Sequence, residues 1–388
     1  MTRSFRLQMT ARQLLERARD IVGIDIVDHE AVEPLEILVQ SFNEQSQLHE
    51  VGARRIEAKL LRILGNRLRM IRDFAAHPEI ADQPIVAPIF VAGSMRTGST
   101  KVQRMFTASG DFNWLPLWKT LNPSSYTGVP GEDPTARIRD AEAYVEELYE
   151  GSPGARATHE QGAQMAEEES YILMQAFRSP GYMGLANVPG YLQWLGQQDM
   201  TSAYRYLRDA LKYLQWQGLA HPAQRWFLKC PFHCGMESVL RQVFPAAQLI
   251  ITHRPPQELI PSICSLLACY IESHTHTPTV DGHALVAGFA ASLEAHTAFR
   301  KANPDFPMLD INYRDATDRV EEIIRRVYSF IGEPLREESR ARMLTWNADN
   351  PIHRHGGHHY TLVDFDLTET EITEQCPEYM ALYQQTYG

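Results

Sequence analysis

The chain has 388 residues, of which 44% are hydrophobic, 22% charged and 10% aromatic, with 23 Gly and 23 Pro, a globular composition that excludes disordered and collagen-like classes. Lysine and arginine total 37 against 48 aspartate and glutamate, a net charge of −11, which argues against a protein that grips nucleic acid by broad counterion release. Any anion it binds must meet a local cluster of arginine and backbone amides.

The opening residues MTRSFRLQMTARQLLERARD lack the apolar core of a signal peptide. From Thr10 to about His77 apolar residues recur at helical spacing: Leu14, Ala18 and Ile21, then Leu35, Leu38 and Phe42, then Ile56, Leu60, Leu64, Leu68 and Ile71. This predicts a helical region over residues 1–84. Its third helix carries Arg54, Arg55, Lys59, Arg62, Arg67, Arg69 and Arg72, read here as a solvated basic face, with a surface for acidic partners as the alternative.

After Pro84 and Pro88 the texture changes. Ile89 to Ala92 is a short apolar run that ends in glycine and gives way to a helical pattern at Val102, Met105 and Phe106. The same order returns at Trp226–Lys229 with a helix near Gly235–Phe244, at Leu249–Thr252 with a helix from about Gln257 to Ile271, and at Met308–Tyr313 with a helix from Thr317 to Phe330. Strands alternating with helices predict an α/β fold, a mostly parallel sheet flanked by helices, over residues 85–388. Residues 133–219 read as helices without a strand, an insertion between the first two strands.

Leu259 to Ile271 is the longest apolar run, and Pro261 and two serines keep it short of the roughly 20 residues of a membrane span. The five cysteines, Cys230, Cys234, Cys264, Cys269 and Cys376, contain no Cys-x-x-Cys and read as free thiols in a reducing compartment. The expectation is a cytoplasmic protein without a membrane span, compatible with a homo-oligomer.

The chemistry concentrates at Gly93-Ser-Met-Arg-Thr-Gly98-Ser99-Thr100, between a strand and a helix, where successive amides and the helix dipole make an anion cradle. The glycine spacing is that of a phosphate-binding loop. A triphosphate enzyme needs lysine directly after the second glycine, where Ser99 stands, so the charge comes from Arg96. A triphosphate enzyme would also end the later strand in an Mg²⁺-holding aspartate. That strand, Leu249-Ile-Ile-Thr-His-Arg254, ends in His253 and Arg254, with Ser262 eight residues on. The residues thus expect a ligand with two separate phosphates and no essential metal.

Three stretches, PIFVAGSMRTGSTKVQRMF, then WFLKCPFHCGMESVLRQVFPAAQLIITHRPPQELIPSICSL, then HHYTLVDFDL, resemble the bacterial sulfotransferases that use 3′-phosphoadenosine 5′-phosphosulfate (PAPS). The likeness spans roughly Pro88 to Leu367. It implies a P-loop-like sulfotransferase fold and transfer of a sulfuryl group from PAPS to a hydroxyl or amine of a small-molecule or lipid-like acceptor. It further implies that Arg96, Thr97, Gly98, Ser99 and Thr100 bind the 5′-phosphosulfate, and that Arg254 and Ser262 bind the 3′-phosphate. The resemblance also implies that Lys229 faces the transferring group. A nucleotide kinase and a catalytically silent PAP- or nucleotide-binding protein are the competing readings.

Sulfuryl transfer needs a base for the acceptor proton. The helical insertion offers His159 and the run Glu167-Glu168-Glu169. On a helix Glu169 would lie in line with Leu173, Ala176 and Phe177, and a crowded, partly desolvated carboxylate would have its pKa raised. The candidates are therefore Glu168, Glu169 and His159. Many relatives place a glutamate after the tryptophan that follows the first helix, whereas Trp118 is followed here by Lys119, which closes that route. Four histidines fall between His353 and His359, but Gly356 and Gly357 break any helix that would align them on a metal. The resemblance makes this stretch a loop closing over the nucleotide, with Arg354, His358 and Tyr360 as contributors. Trp114, Trp118, Tyr182, Trp194 and Trp216 hint at an apolar acceptor pocket.

Overall fold

The structure, a computed structural model, describes residues 4–351 and 361–387. Three helices open the chain: α1 (Ala11–Val22), α2 (His29–Gln45) and α3 (Glu50–Ala76). Thr10 and Gln13 form a reciprocal capping box on α1, and Gly23, at φ 67°, ends it in the left-handed conformation that only glycine adopts without strain. Most of the apolar stripes predicted for these helices is buried and shares one core with Phe177, Tyr182, Val188 and Tyr191 of the insertion, whereas Ile21 is exposed and Ile71 half-buried. That core crosses the change of texture at Pro84.

The basic residues of α3 are not a solvated face. Arg54 alone is exposed, while Lys59 and Arg67 are buried and the other four half-buried. Arg67 forks onto Asp28 and donates to the Gln175 carbonyl at 3.1 Å, and Arg55 pairs with Glu147 at 2.7 Å. These cations tie α3 to its neighbours, because burying a guanidinium requires partners for its donors.

Strand β1 (Ile89–Val91) leads through the Gly93 loop into α4 (Ser99–Thr107). The insertion follows as α5 (Leu117–Leu121), α6 (Thr135–Gly151), α7 (Ala155–Thr158), α8 (Ser170–Gln175), α9 (Pro189–Leu195) and α10 (Thr201–Trp216). Next come β2 (Phe227–Lys229), α11 (Glu237–Val243), β3 (Gln248–His253), α12 (Pro256–Glu272), α13 (Gly282–Ala302) and β4 (Met308–Asn312). Helices α14 (Tyr313–Asp318), α15 (Val320–Ile331), α16 (Glu337–Asp349), α17 (Glu369–Gln375) and α18 (Pro377–Tyr387) complete the described chain. Two helices thus follow β4 where a single one was expected.

All strand pairings are parallel, in the order β2-β1-β3-β4. The predicted α/β sheet is present. Ile89 and Val91 face a core containing Phe106 and Ile324, while Phe90 faces one containing Tyr204 and Leu240. Successive strand residues point to opposite faces, so both faces of the sheet are covered. β1 has β2 on one side and β3 on the other, which puts a topological switch at its carboxyl end, where α/β sheets open a crevice for ligand. Val91 pairs with Lys229 on one side and Ile250 on the other, so the Gly93 loop, Lys229 and the end of β3 meet there. No helix among the described residues is long and apolar enough to cross a membrane.

Candidate active site

The Gly93 loop has the path of a cradle for physical reasons. A Cβ on Gly93 would come within 1.8 Å of Thr252 Oγ1, so only glycine lets β1 leave the sheet there. Gly98 has φ 85°, and a Cβ on it would press the Tyr313 ring at 3.0 Å. Ser99 and Thr100 begin α4 and line a cavity of about 130 Å³. Thr97 is different from its expected role. Its hydroxyl is spent beneath the loop, donating to the Ser94 carbonyl and pairing with Thr252 Oγ1, both at 2.6 Å, which leaves the backbone amide as its share in any cradle.

Arg96 has φ 64° and projects across the crevice. Its Nε donates to Ser262 Oγ at 2.9 Å and its Nη1 to the Thr158 carbonyl at 2.9 Å. Arg254 donates to the Arg96 carbonyl at 3.3 Å and to Glu258 at 3.0 Å, with its guanidinium 4.6 Å from the centre of the Tyr313 ring. The structure therefore gathers Arg96, Arg254 and Ser262, with Ser262 touching the arginine of the loop. Tyr313, which sequence reasoning passed over, packs beside both Gly98 and Arg254.

The three consecutive glutamates have three different partners. Glu167 is buried, and His159 Nε2 stands 3.0 and 3.2 Å from its two carboxylate oxygens. Burial would raise the Glu167 pKa, but neighbouring His159, Lys229 and Arg104 outweigh it and hold the carboxyl well below its usual range. Glu167 stays ionised near neutrality. Glu168 forms an ion pair with Lys229 Nζ and accepts from Ser170 Oγ at 3.2 Å. Glu169 is fully buried, accepting from the Lys229 amide at 2.8 Å and from His233 Nε2 at 2.7 Å. His233 Nδ1 in turn lies 2.8 Å from Tyr204 Oη.

This arrangement corrects one expectation. The run precedes α8 instead of riding on its face, so Glu169 sits under the floor and holds the end of β2 in place; it does not line the cavity. The member of the run that meets His159 in the cavity wall is Glu167, whose carboxyl is held below its usual range. A histidine eight residues before a glutamate, across a break between helices, was the available signal. His159, Glu167, Glu168 and Lys229 all line the same cavity as Arg96, Ser99 and Thr100.

His159, Glu167 and Glu168 also offer three atoms within 4.8 Å of one another, a spacing compatible with a cation. His159 on Glu167 and the Lys229 ammonium on Glu168 already occupy these acceptors. Lys119 is half-buried and donates to the Leu219 carbonyl at 2.5 Å, its pKa lowered to about 8 by burial and by Arg137, so it braces the insertion. None of Trp114, Trp118, Tyr182, Trp194 and Trp216 lines the cavity. Its apolar wall is instead Met95, Met174, Met183, Leu185, Phe232 and Leu267, a methionine-rich surface that adapts to varied shapes. All five cysteines are free and four are buried. Arg354, His358 and Tyr360, with the His353–His359 tract, lie outside the described residues except for Thr361 onward.

Residues 88–337 match the sulfotransferase family. The chain belongs to that family. The matched region includes the Gly93 loop, the insertion and the Arg254 strand, and it ends before the HHYTLVDFDL stretch of the sequence. Two solved sulfotransferases have the same fold along nearly their whole length. STF1 of Mycobacterium tuberculosis H37Rv is 27% identical with a TM-score of 0.79, covering 96% of this chain and 99% of its own. STF9 of Mycobacterium avium is 25% identical with a TM-score of 0.85, covering 98% of each chain. No curated protein sequence matches the chain. As a sulfotransferase it moves a sulfuryl group, and the site must bind a donor, bind an acceptor and handle the acceptor's proton.

Proposed function

We propose that this sulfotransferase uses PAPS as donor and transfers its sulfuryl group to a hydroxyl, or an amine, of a small-molecule or lipid-like acceptor. One observation carries the reading. The phosphate-cradle residues Arg96, Ser99 and Thr100 and the acid–base residues His159, Glu167, Glu168 and Lys229 line one cavity at the switch point of the sheet. In it, the amides of residues 97–100 and the Arg96 guanidinium hold the 5′-phosphosulfate, and Arg254 and Ser262, which contact Arg96 beside the cavity, hold the 3′-phosphate. The donor set suits anions without a metal, since guanidinium, ammonium, hydroxyl and amide groups all donate.

Bound there, PAPS supplies an activated sulfuryl group, so that a bond from the acceptor oxygen to sulfur forms as the sulfur–oxygen bond to phosphate breaks. His159 takes the acceptor proton. An ionised carboxylate only accepts hydrogen bonds, so the Glu167 carboxylate fixes the proton on His159 Nε2 and leaves the Nδ1 lone pair as the base. Glu168 is the weaker choice, because its carboxylate is already engaged by the Lys229 ammonium. Lys229 and Arg96 stabilise charge on the transferring group and on the leaving phosphate.

The test is a calorimetric titration of adenosine 3′,5′-bisphosphate (PAP), the product nucleotide, and of ATP, each with and without Mg²⁺. PAP is expected to bind unaffected by Mg²⁺ and more tightly than ATP. Tight binding of ATP that depends on Mg²⁺, with weak binding of PAP, would instead make the protein a kinase.

A further inference from the structure

Four of the seven basic residues on α3 pair with a carboxylate, Arg54 with Glu50, Arg55 with Glu147, Arg67 with Asp28 and Arg72 with Asp73, and Arg69 lies over the Tyr126 ring. Lys59 and Arg62 differ. Lys59 is 8% exposed, and among the described residues no carboxylate or carbonyl pairs with it; its Nζ stands 5.1 Å from the centre of the Tyr144 ring. Arg62 shares that ring at 5.2 Å, and its buried Nε has no hydrogen-bond partner. A buried ammonium with no counter-ion is costly. Burial and the Arg62 charge lower the Lys59 pKa to about 7, with Glu147 opposing them; His274, Tyr144 and Arg62 are the other titratable groups around it.

The position of this unbalanced charge is informative. Lys59 lines the same cavity as His159 and Lys229, and it also lines the neighbouring cavity of about 330 Å³ between α3 and α6, with Tyr144 common to both walls. The charged neighbours that act on it are Arg62 and Glu147 and not the site carboxylates. On the wall of the same cavity, Gln161 donates to Tyr171 Oη at 2.7 Å while its own Oε1, an acceptor, lies buried without a partner. The wall of this one cavity therefore carries the Arg96 and Lys229 cations, apolar methionine and leucine side chains, and the Lys59 cation, which no carboxylate pairs among the described residues.

We propose that Lys59 is an acceptor-specificity residue: the acceptor carries a carboxylate at the end remote from its reacting hydroxyl, and the carboxylate docks on the Lys59 amine with Arg62 behind it. The inference rests on the sulfuryl-transfer reading of the cavity and names its acceptor class. Docking supplies the missing counter-ion, while the apolar stem of the acceptor lies against Met183, Leu185 and Leu267. An acceptor without the acid forfeits that pairing. A hydrogen bond to a charged partner contributes about 1.5–3 kcal/mol, or about 10- to 100-fold in affinity.

The experiment measures binding of ω-hydroxyalkanoic acids of graded chain length, and of their primary amides, to the PAP-loaded protein by calorimetry. The acid of best-fitting length is expected to bind about 10- to 100-fold more tightly than its amide. Lys59→Met and Lys59→Gln should each abolish that preference and leave PAP affinity unchanged. Equal binding of acid and amide at every length, no binding of either series, or a preference that survives both substitutions would overturn the assignment. Failure of PAP to bind would sink the nucleotide reading separately, because the acid and amide comparison can be repeated on the nucleotide-free protein.

Discussion

Replacing His159 with glutamine lowers sulfuryl transfer by about 10² to 10⁴ and leaves PAP affinity within about two-fold, the range expected for losing a general base that does not touch the nucleotide. Glutamine keeps hydrogen-bonding capacity toward Glu167 but cannot take the acceptor proton. Glu167→Gln is expected to have an intermediate effect, because a neutral amide no longer fixes the proton on Nε2 or stabilises the imidazolium that forms. Single-turnover rates with saturating PAPS, read beside PAP calorimetry, separate chemistry from binding. Should Glu168→Gln be the severe variant while His159→Gln keeps its activity, the base is Glu168 and the His159–Glu167 pair is structural.

Lys229→Met gives the second large loss. Lys229 Nζ is nearly fully buried and pairs with Glu168, so removing it takes away both a stabilising cation and the counter-charge of a partly buried carboxylate. Transfer is expected to fall by about 10² to 10³, as for loss of one pre-placed electrostatic contact. Stability falls too, by up to about 3 kcal/mol, since a carboxylate is left without its partner. The double variant Lys229→Met/Glu168→Gln tells the two losses apart: denaturant unfolding should return most of the stability, while the transfer rate stays low. Recovery of both together would make Lys229 a structural residue only.

The strands were legible because each is a short apolar run ending in a turn residue, and Ile89, Phe90 and Val91 have neighbours on both faces of the sheet. The cradle was legible because Gly93 and Gly98 are required by the backbone itself, the one by Thr252 and the other by its positive φ. Local patterns carried less about the catalytic wall. Glu167, Glu168 and Glu169 are neighbours in sequence, yet the turn into α8 sends one to His159, one to Lys229 and one beneath the floor to His233. Charge runs misled for a similar reason. Helical spacing gives the faces of α3, but only the packing of α6 and α8 against it buries Lys59 and Arg67. The acceptor wall draws Met95, Met183 and Leu267 from three separated segments, a grouping that no local periodicity announces.

Arg254 is the residue on which the reading of a two-phosphate nucleotide turns, because it stands at the carboxyl end of β3 where a triphosphate enzyme would hold Mg²⁺. The decisive measurement is the affinity of PAP and of adenosine 5′-monophosphate for the wild-type protein and for Arg254→Ala, all by calorimetry. The wild type should prefer PAP, and the substitution should weaken PAP by about 2–4 kcal/mol, the cost of truncating the charged partner of a bound anion. Adenosine 5′-monophosphate, which lacks the 3′-phosphate, should bind both proteins almost equally. Equal losses for the two nucleotides, or no loss for PAP, would contradict the assignment of Arg254 to the 3′-phosphate and with it the choice of PAPS as donor.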